Sequence, residues 1–160
     1  MAFTYVQIPS PRFGFQQIME TCRIVDNAMG YGYFNDHIKE IKCGWVCFHA
    51  DAVVAWAAVS KDKDIGILKC VVVDPLFRGQ GIASKLTEIR LQYLKNCSII
   101  YSYAWIRPNG YCASCKNLEK FGFEVVSEIP KYFANTKYKC PICIKECNCL
   151  ARKYKKEHKE

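Results

Sequence analysis

The passage Val71-Val72-Val73-Asp74-Pro75-Leu76-Phe77-Arg78-Gly79-Gln80-Gly81-Ile82-Ala83-Ser84 constrains this chain more than any other. Three β-branched residues favour an extended strand. Asp74-Pro75 ends it, because proline has no N–H to give to a ladder. Beyond the glycines, Ile82, Leu86, Ile89 and Tyr93 recur at helical spacing, which predicts a helix from Gly81 to about Lys95. The N–H groups of its first turn then point back toward the strand end, at the positive end of the helix dipole. With no Cβ on Gly79 or Gly81, backbone can approach a ligand closely, so the turn is a place for a phosphate.

Spacing separates the anion loops that compete for this stretch. No Gly-Lys-Ser/Thr follows the glycines, which excludes a P-loop. A dinucleotide fingerprint needs a third Gly or Ala where Ser84 stands and an acidic residue about 20 positions on, and Tyr101 to Tyr103 offer none. Arg78-Gly79-Gln80-Gly81-Ile82-Ala83 instead resembles the acyl-coenzyme-A loop of the GNAT superfamily of N-acetyltransferases, Gln/Arg-x-x-Gly-x-Gly/Ala, and Val73-Asp74-Pro75 supplies the Val-x-Pro that often precedes it. A second stretch, Tyr111-Cys112-Ala113-Ser114-Cys115-Lys116-Asn117-Leu118-Glu119-Lys120-Phe121-Gly122-Phe123, resembles the family's late helix, Asn-x-x-Ala-x-x-x-Tyr-Glu-Lys-Leu-Gly-Phe. The resemblance is closest to the branch with Ser and Leu at the Ala and Tyr places, which includes the ribosomal-protein N-terminal serine acetyltransferases. Gly122 suits a helix C-cap and Phe123 a core anchor at the start of a strand.

The resemblance implies an α/β fold with a mixed central sheet flanked by helices, and transfer of an acetyl group from acetyl-CoA to an amine in a ternary complex. The pantetheine arm would lie along Val71, Val72 and Val73. The pyrophosphate would sit on the amides of Gly79, Gln80, Gly81, Ile82, Ala83 and Ser84, with Arg78 nearby. The family's frequent acid, a tyrosine, is Leu118 here, and Ser114 stands where the similar branch has a proposed substitute. Tyr111 replaces the family's Asn, with Asn109 close by. No carboxylate lies in Ile65 to Val73 or in Ser98 to Trp105. His49, Asp51, Asp64 and Tyr103 are polar residues near strand ends or within a strand, read first as turn, surface or core. A water-relayed base, or none, fits equally.

The chain's 160 residues fit one domain, 1–160, and 51% hydrophobic with 24% charged residues make it globular. There is no charged-then-apolar leader pattern, and the longest apolar run, Ala52 to Val59, is far short of the roughly 20 residues that cross a bilayer. A soluble, cytoplasmic protein is expected. In such a compartment eleven cysteines read as thiols and metal ligands rather than disulfides. Cys22, Cys43, Cys47, Cys70 and Cys97 sit in apolar patterns and read as core, and Cys112 and Cys115 as helix packing residues.

From the N-terminus, Ser10-Pro11 predicts a first helix with Phe15, Ile18, Cys22, Val25 and Met29 on one face, closed by Gly30 and Gly32. Asn35 to Lys42 predicts a short second helix ended by Gly44, on the acceptor side in folds of this kind; Tyr31, Tyr33, Phe34 and His37 are candidate pocket residues. Trp45 to His49 and Ala52 to Ser60 read as a hairpin, followed by strands Ile65 to Val73 and Ser98 to Trp105.

Cys140, Cys143, Cys147 and Cys149 fall within ten residues, the spacing of a knuckle that wraps four thiolates round one tetrahedral Zn²⁺. Leu150 to Tyr154 resembles the family's last strand, which puts the knuckle in the final hairpin as a structural site. From Lys137 to Glu160, eight Lys or Arg stand against three Glu, within a chain of formal charge +8. A basic tail from Lys153 onward raises nucleic-acid or ribosome contact as a secondary role, and a silent GNAT-fold binding protein as the alternative to an enzyme. A protein N-terminus, a lysine or a small amine remains open as acceptor.

Overall fold

The computed structural model describes residues 2–38, 43–134 and 136–158. The chain runs β1 (Thr4–Ile8), α1 (Phe15–Met29), α2 (Tyr33–Ile38), β2 (Cys43–His49), β3 (Ala52–Asp62), β4 (Ile65–Val73), α3 (Ile82–Tyr93), β5 (Ile99–Ile106), α4 (Cys115–Lys120), β6 (Glu124–Pro130) and β7 (Leu150–Glu157). The strands form one mixed sheet in the order β1-β2-β3-β4-β5-β7-β6. Only β4 and β5 run parallel, because α3 carries the chain from the end of one back to the start of the other. The long apolar run lies in β3 and is buried on both faces, as a strand covered by helices on each side must be. Ile82, Leu86 and Leu94 from α3 and its end, with Leu118 of α4, pack on one face. Ile24 and Val25 of α1 and Phe34 of α2 pack on the other.

Several elements differ from expectation. β1, a short edge strand whose Gln7 interrupts the apolar signal, precedes the first helix and pairs with β2. Ser10-Pro11 makes a turn, with the Phe13 N–H on the Ser10 carbonyl, and the helix starts only after Gly14. Phe15 is accordingly exposed, while Val25 of the expected face is buried and Ile18, Cys22 and Met29 pack half-buried beside it, with Thr21 and Ile24 added to the buried face. α2 begins two residues earlier than expected, and the Lys39 to Lys42 portion of that expectation lies outside the described residues. Gly44 ends no helix: it lies in β2 beneath Trp56, where a Cβ would meet the indole ring at 2.6 Å. The last strand runs on to Glu157, so Lys153, Lys155 and Lys156 belong to the sheet rather than to a tail.

Candidate active site

At the end of β4 the chain is locked before it turns. The Asp74 N–H donates to the Val54 carbonyl at 2.8 Å, and the Asp74 carboxylate accepts the Leu76 N–H at 3.0 Å, fixing a 3-10 turn over Pro75–Phe77. Gly79 and Gly81 then take φ of +78° and +80°, a region that penalises any side chain. No heavy atom lies within 4 Å of where a Cβ would stand on either, so their freedom serves the backbone turn and leaves an open cradle before α3. No side chain caps Gly81, and the N–H groups of Ile82, Ala83 and Ser84 face that cradle. Arg78 is pinned there by its Nε–H on the Val73 carbonyl at 3.2 Å.

Beside this loop the sheet opens. β4 and β5 pair from Ile65–Ile99 to Leu68–Ser102 and no further, although β4 continues to Val73 and β5 to Ile106. Each keeps its outer partner, β3 and β7 respectively, so the sheet divides into a wedge. The split starts at a bulge, where Ala57 to Val59 of β3 oppose Leu68 to Val71 of β4. Across it the facing of β4 reverses: Leu68 packs toward α3, Cys70 and Val72 toward α1, and Val71 and Val73 toward α3 again. The freed backbone of Val71 to Val73 borders the wedge.

A residue unmarked in the sequence holds that bulge. Arg90 of α3 is 2% exposed, and its guanidinium donates to the Ala58 carbonyl at 3.3 Å, the Cys70 carbonyl at 3.5 Å and Thr87 Oγ1 at 3.3 Å. Burial lowers its pKa to about 10, which leaves it charged at neutral pH. Asn117 of α4 continues the network, donating to Thr87 Oγ1 and accepting the Ser84 hydroxyl, both at 2.8 Å. Thus the bulge, the glycine-loop helix and α4 are tied together by one polar chain. Its only sequence signal was a charged residue on an otherwise apolar helix face.

On the α1 and α2 side, the wedge contains a cavity of about 490 Å³. Its walls come from six stretches: the end of α1 at Ala28 and Met29, Tyr33 and His37 of α2, Val59 and Ser60 of β3, Leu68 to Cys70 of β4, Tyr103 and Trp105 of β5, and the β6–β7 connection. His37 stacks on Tyr33 with ring centroids 4.1 Å apart, and its Nδ1 lies 3.0 Å from the Tyr33 carbonyl. A carbonyl only accepts, so this contact puts a hydrogen on Nδ1, and in the neutral ring Nε2 is then the acceptor. Of the candidate pocket residues, Tyr33 and His37 line the cavity, Tyr31 is 94% exposed and Phe34 is core.

In the β6–β7 connection, the sulfurs of Cys140, Cys143, Cys147 and Cys149 lie within 4.8 Å of one another. The Cys143–Cys149 and Cys140–Cys149 separations are 3.7 and 4.0 Å. Four thiolates about 2.3 Å from a zinc ion stand about 3.8 Å apart, so the donor set and spacing fit a tetrahedral Zn²⁺. The N–H groups of Cys143 and Asn148 donate to Cys140 Sγ and Cys143 Sγ, the second-layer bonds that orient thiolate ligands.

The sequence profile of the acetyltransferase (GNAT) family matches residues 12–123, well over half of the chain. The chain belongs to the GNAT acetyltransferase family. No curated protein matches it in sequence. Among solved structures, its fold is similar to Ard1 from Thermoplasma volcanium (20% identity, 100% of each chain covered, TM-score 0.73). It is similar also to the ribosomal-protein-S18-alanine N-acetyltransferase from Escherichia coli (16%, 96% of this chain and 92% of that one, 0.71). A third likeness is to a GNAT family acetyltransferase from Elizabethkingia anophelis with acetyl-CoA bound (14%, 98% of each chain, 0.70). At these identities the likeness is one of fold.

Within the GNAT frame the late helix is shorter than its motif. α4 begins at Cys115, Ser114 is its N-cap residue, and Tyr111 lies ahead of it beneath the Arg107 guanidinium. Cys112 and Cys115 are joined in a disulfide, which corrects the expectation of packing thiols. The late helix start leaves Cys112 in the preceding loop with its Cα 5.7 Å from that of Cys115, within disulfide reach. The Ser114 hydroxyl lies 3.9 Å from Cys112 Sγ. Among the remaining candidates, Asp64 binds the Ser98 N–H at the opposite end of β4, Asp51 is in the β2–β3 turn, and His49 packs on Phe3 and Phe77. Tyr103 alone of these lines the cavity. Burial raises Cys47 to about 11 and Cys70 to about 12, which keeps both as core thiols. No described helix is long and apolar enough to cross a membrane.

Proposed function

We propose that this chain is an acetyl-CoA-dependent N-acetyltransferase in which the two sides of the wedge hold the two substrates. The observation that carries this is the loss of β4–β5 pairing beyond Leu68 and Ser102, directly beside a glycine cradle at the start of α3. Acetyl-CoA fits the cradle side. Its pyrophosphate is assigned to the amides of Gly79, Gln80, Gly81, Ile82, Ala83 and Ser84 with Arg78, and its pantetheine arm to the edge of Val71, Val72 and Val73 that faces away from β3 and has lost β5. A main-chain N–H near Val73 is the donor for the thioester oxygen.

The acceptor amine is assigned to the aromatic cavity. Its nitrogen attacks the thioester carbon as the carbon–sulfur bond breaks, and the amine's proton passes to Nε2 of His37. Ser114 is the candidate acid for the departing thiolate. The basic surface suits a polyanionic cosubstrate. A zinc ion on Cys140, Cys143, Cys147 and Cys149 belongs to the structure, away from the bonds that change.

The test is release of CoA thiol in the presence of short peptides with free N-termini, an Nα-blocked lysine peptide, spermidine and 2-phenylethylamine, with products identified by mass. Amine-dependent release with an amide product is expected. Binding of acetyl-CoA with no release across the panel would return the chain to the silent, ligand-binding class.

A further inference from the structure

The four cysteines and a third of the residues lining the cavity are one piece of chain. Residues 131–149 leave β6 and return to β7 with no strand or helix among the described residues, and they bring Tyr132, Phe133, Thr136, Tyr138, Cys140 and Pro141 to the cavity. Tyr132 stacks on Tyr103 of β5, ring centroids 5.5 Å apart and nearly parallel. Tyr138 packs edge-on against Tyr33 of α2 at 5.2 Å, and its hydroxyl donates to the Asp36 carboxylate at 2.8 Å. The connection therefore closes over the wedge from β5 to α2.

Lys137 also pairs with Asp36, Tyr138 lies against His37, and Tyr138 and Lys139 sit against Gly30. The segment's contacts with α1 and α2 thus come before its cysteines, and the cysteine-bearing part has little apolar burial of its own. Ordering a segment costs about 1–2 kcal/mol per residue, and burial of apolar side chains usually offsets it. Here Ile142 and Ile144 are 42% and 90% exposed, and among the described residues of the segment Cys149, at the mouth of β7, is the buried one. The sulfurs supply what apolar packing does not: their spacing suits one tetrahedral ion, which would tie Cys140, beside the cavity, to Cys149, at the fixed start of β7.

We propose that a zinc ion bound by Cys140, Cys143, Cys147 and Cys149 holds the acceptor wall in place, so that metal occupancy governs the acceptor half of the cleft and leaves the acetyl-CoA half unchanged. The naming of that half as the acceptor's rests on the acetyltransferase proposal above; the metal-dependent wall does not. The cradle has its own support in Asp74, Arg90 and Asn117, all outside residues 131–149.

The full-length zinc-loaded protein and the same protein stripped with 1,10-phenanthroline, both kept reduced, provide the comparison. Metal content should be one zinc per chain. On stripping, backbone hydrogen exchange should rise by about tenfold or more in 131–149 and in Tyr33–His37, and stay unchanged in α3. Acrylamide quenching is a second probe: Trp45 and Trp56 are buried, so an increase on stripping reports Trp105 in the cavity wall. Acetyl-CoA affinity by calorimetry should be the same in both forms. Cys143→Ser should reproduce the stripped state.

Failure to bind zinc, or unchanged exchange and quenching after its loss, would overturn the proposal. So would an equal rise in exchange throughout α3, which would make the ion a staple for the whole fold. Absence of acetyl-CoA binding in both forms, with a metal-dependent wall, would instead remove the acetyltransferase reading and leave the wall standing.

Discussion

The two halves of the cleft are built in opposite ways. The glycine cradle is made from one unbroken stretch, Val71 to Ser84, whose strand, turn and helix each follow from neighbouring residues. The aromatic cavity facing the other side of the wedge is assembled from α1, α2, β3, β4, β5 and the β6–β7 connection, separated by up to about a hundred positions, as in the Asp36–Tyr138 hydrogen bond. A contiguous site keeps its shape through local hydrogen bonds. An assembled one depends on whatever brings its distant parts together, here the wedge, the Tyr103–Tyr132 stack, the edge-on Tyr33–Tyr138 contact and the cysteine cluster. The cradle should therefore respond to single local substitutions, and the cavity to changes in its scaffolding.

The largest expected effect strikes the cradle. Gly81→Arg places a long side chain in the open space before α3 at a positive φ, and should lower acetyl-CoA affinity more than about 100-fold, or about 2.7 kcal/mol, by calorimetry. Helical circular dichroism should be largely retained; near-normal binding would mean the cradle holds no phosphate. Arg90→Met tests the support common to both halves. It leaves the Ala58 and Cys70 carbonyls without their buried donor and should reduce unfolding free energy by about 2–4 kcal/mol in urea titration. Arg90→Lys, which keeps the charge without the fork, should fall between; equal stability of all three would remove Arg90 from the bulge.

Chemistry at the junction should be more sensitive than binding. Ser114→Ala should reduce kcat by about tenfold or more while acetyl-CoA affinity stays within error, if the hydroxyl protonates the leaving thiolate. Unchanged kcat would leave Ser114 with its cap position alone. The smallest effect is expected on the assembled side: Tyr132→Ala removes one aromatic stack, worth about 0.5–1.5 kcal/mol, and should raise KM for the accepted amine by about threefold to tenfold without altering acetyl-CoA affinity. Loss of acetyl-CoA binding in that variant would show that the halves are not separable.

The same contrast decides what could be seen in the sequence. Strand β4, the glycine turn, α3, the β2–β3 hairpin and the family's fold were legible because their signals are local: β-branched runs, positive-φ glycines, helical periodicity and motif spacing. The cysteine cluster was legible for the same reason. The wedge was not, because it rests on a bulge opposite Ala58 that no residue type announces. Arg90 drew no reading, because its role rests on carbonyl partners 20 and 32 positions away. Gly44 read as a helix stop although its task is to admit Trp56, a contact defined only by strand pairing. The lysines after Arg152 read as a free tail since alternation with Ala151 and Tyr154 is weak, and β5 and β6 recruit them into the sheet.

Calorimetric titration of the purified protein with acetyl-CoA, with desulfo-CoA and NAD as comparisons, tests the central claim most directly. Saturable binding of acetyl-CoA and desulfo-CoA, without binding of NAD, is the result expected of a cradle and wedge built for the coenzyme-A arm. Absence of acetyl-CoA binding by folded, zinc-loaded protein would contradict the assignment of Val71 to Ser84 as the cosubstrate site.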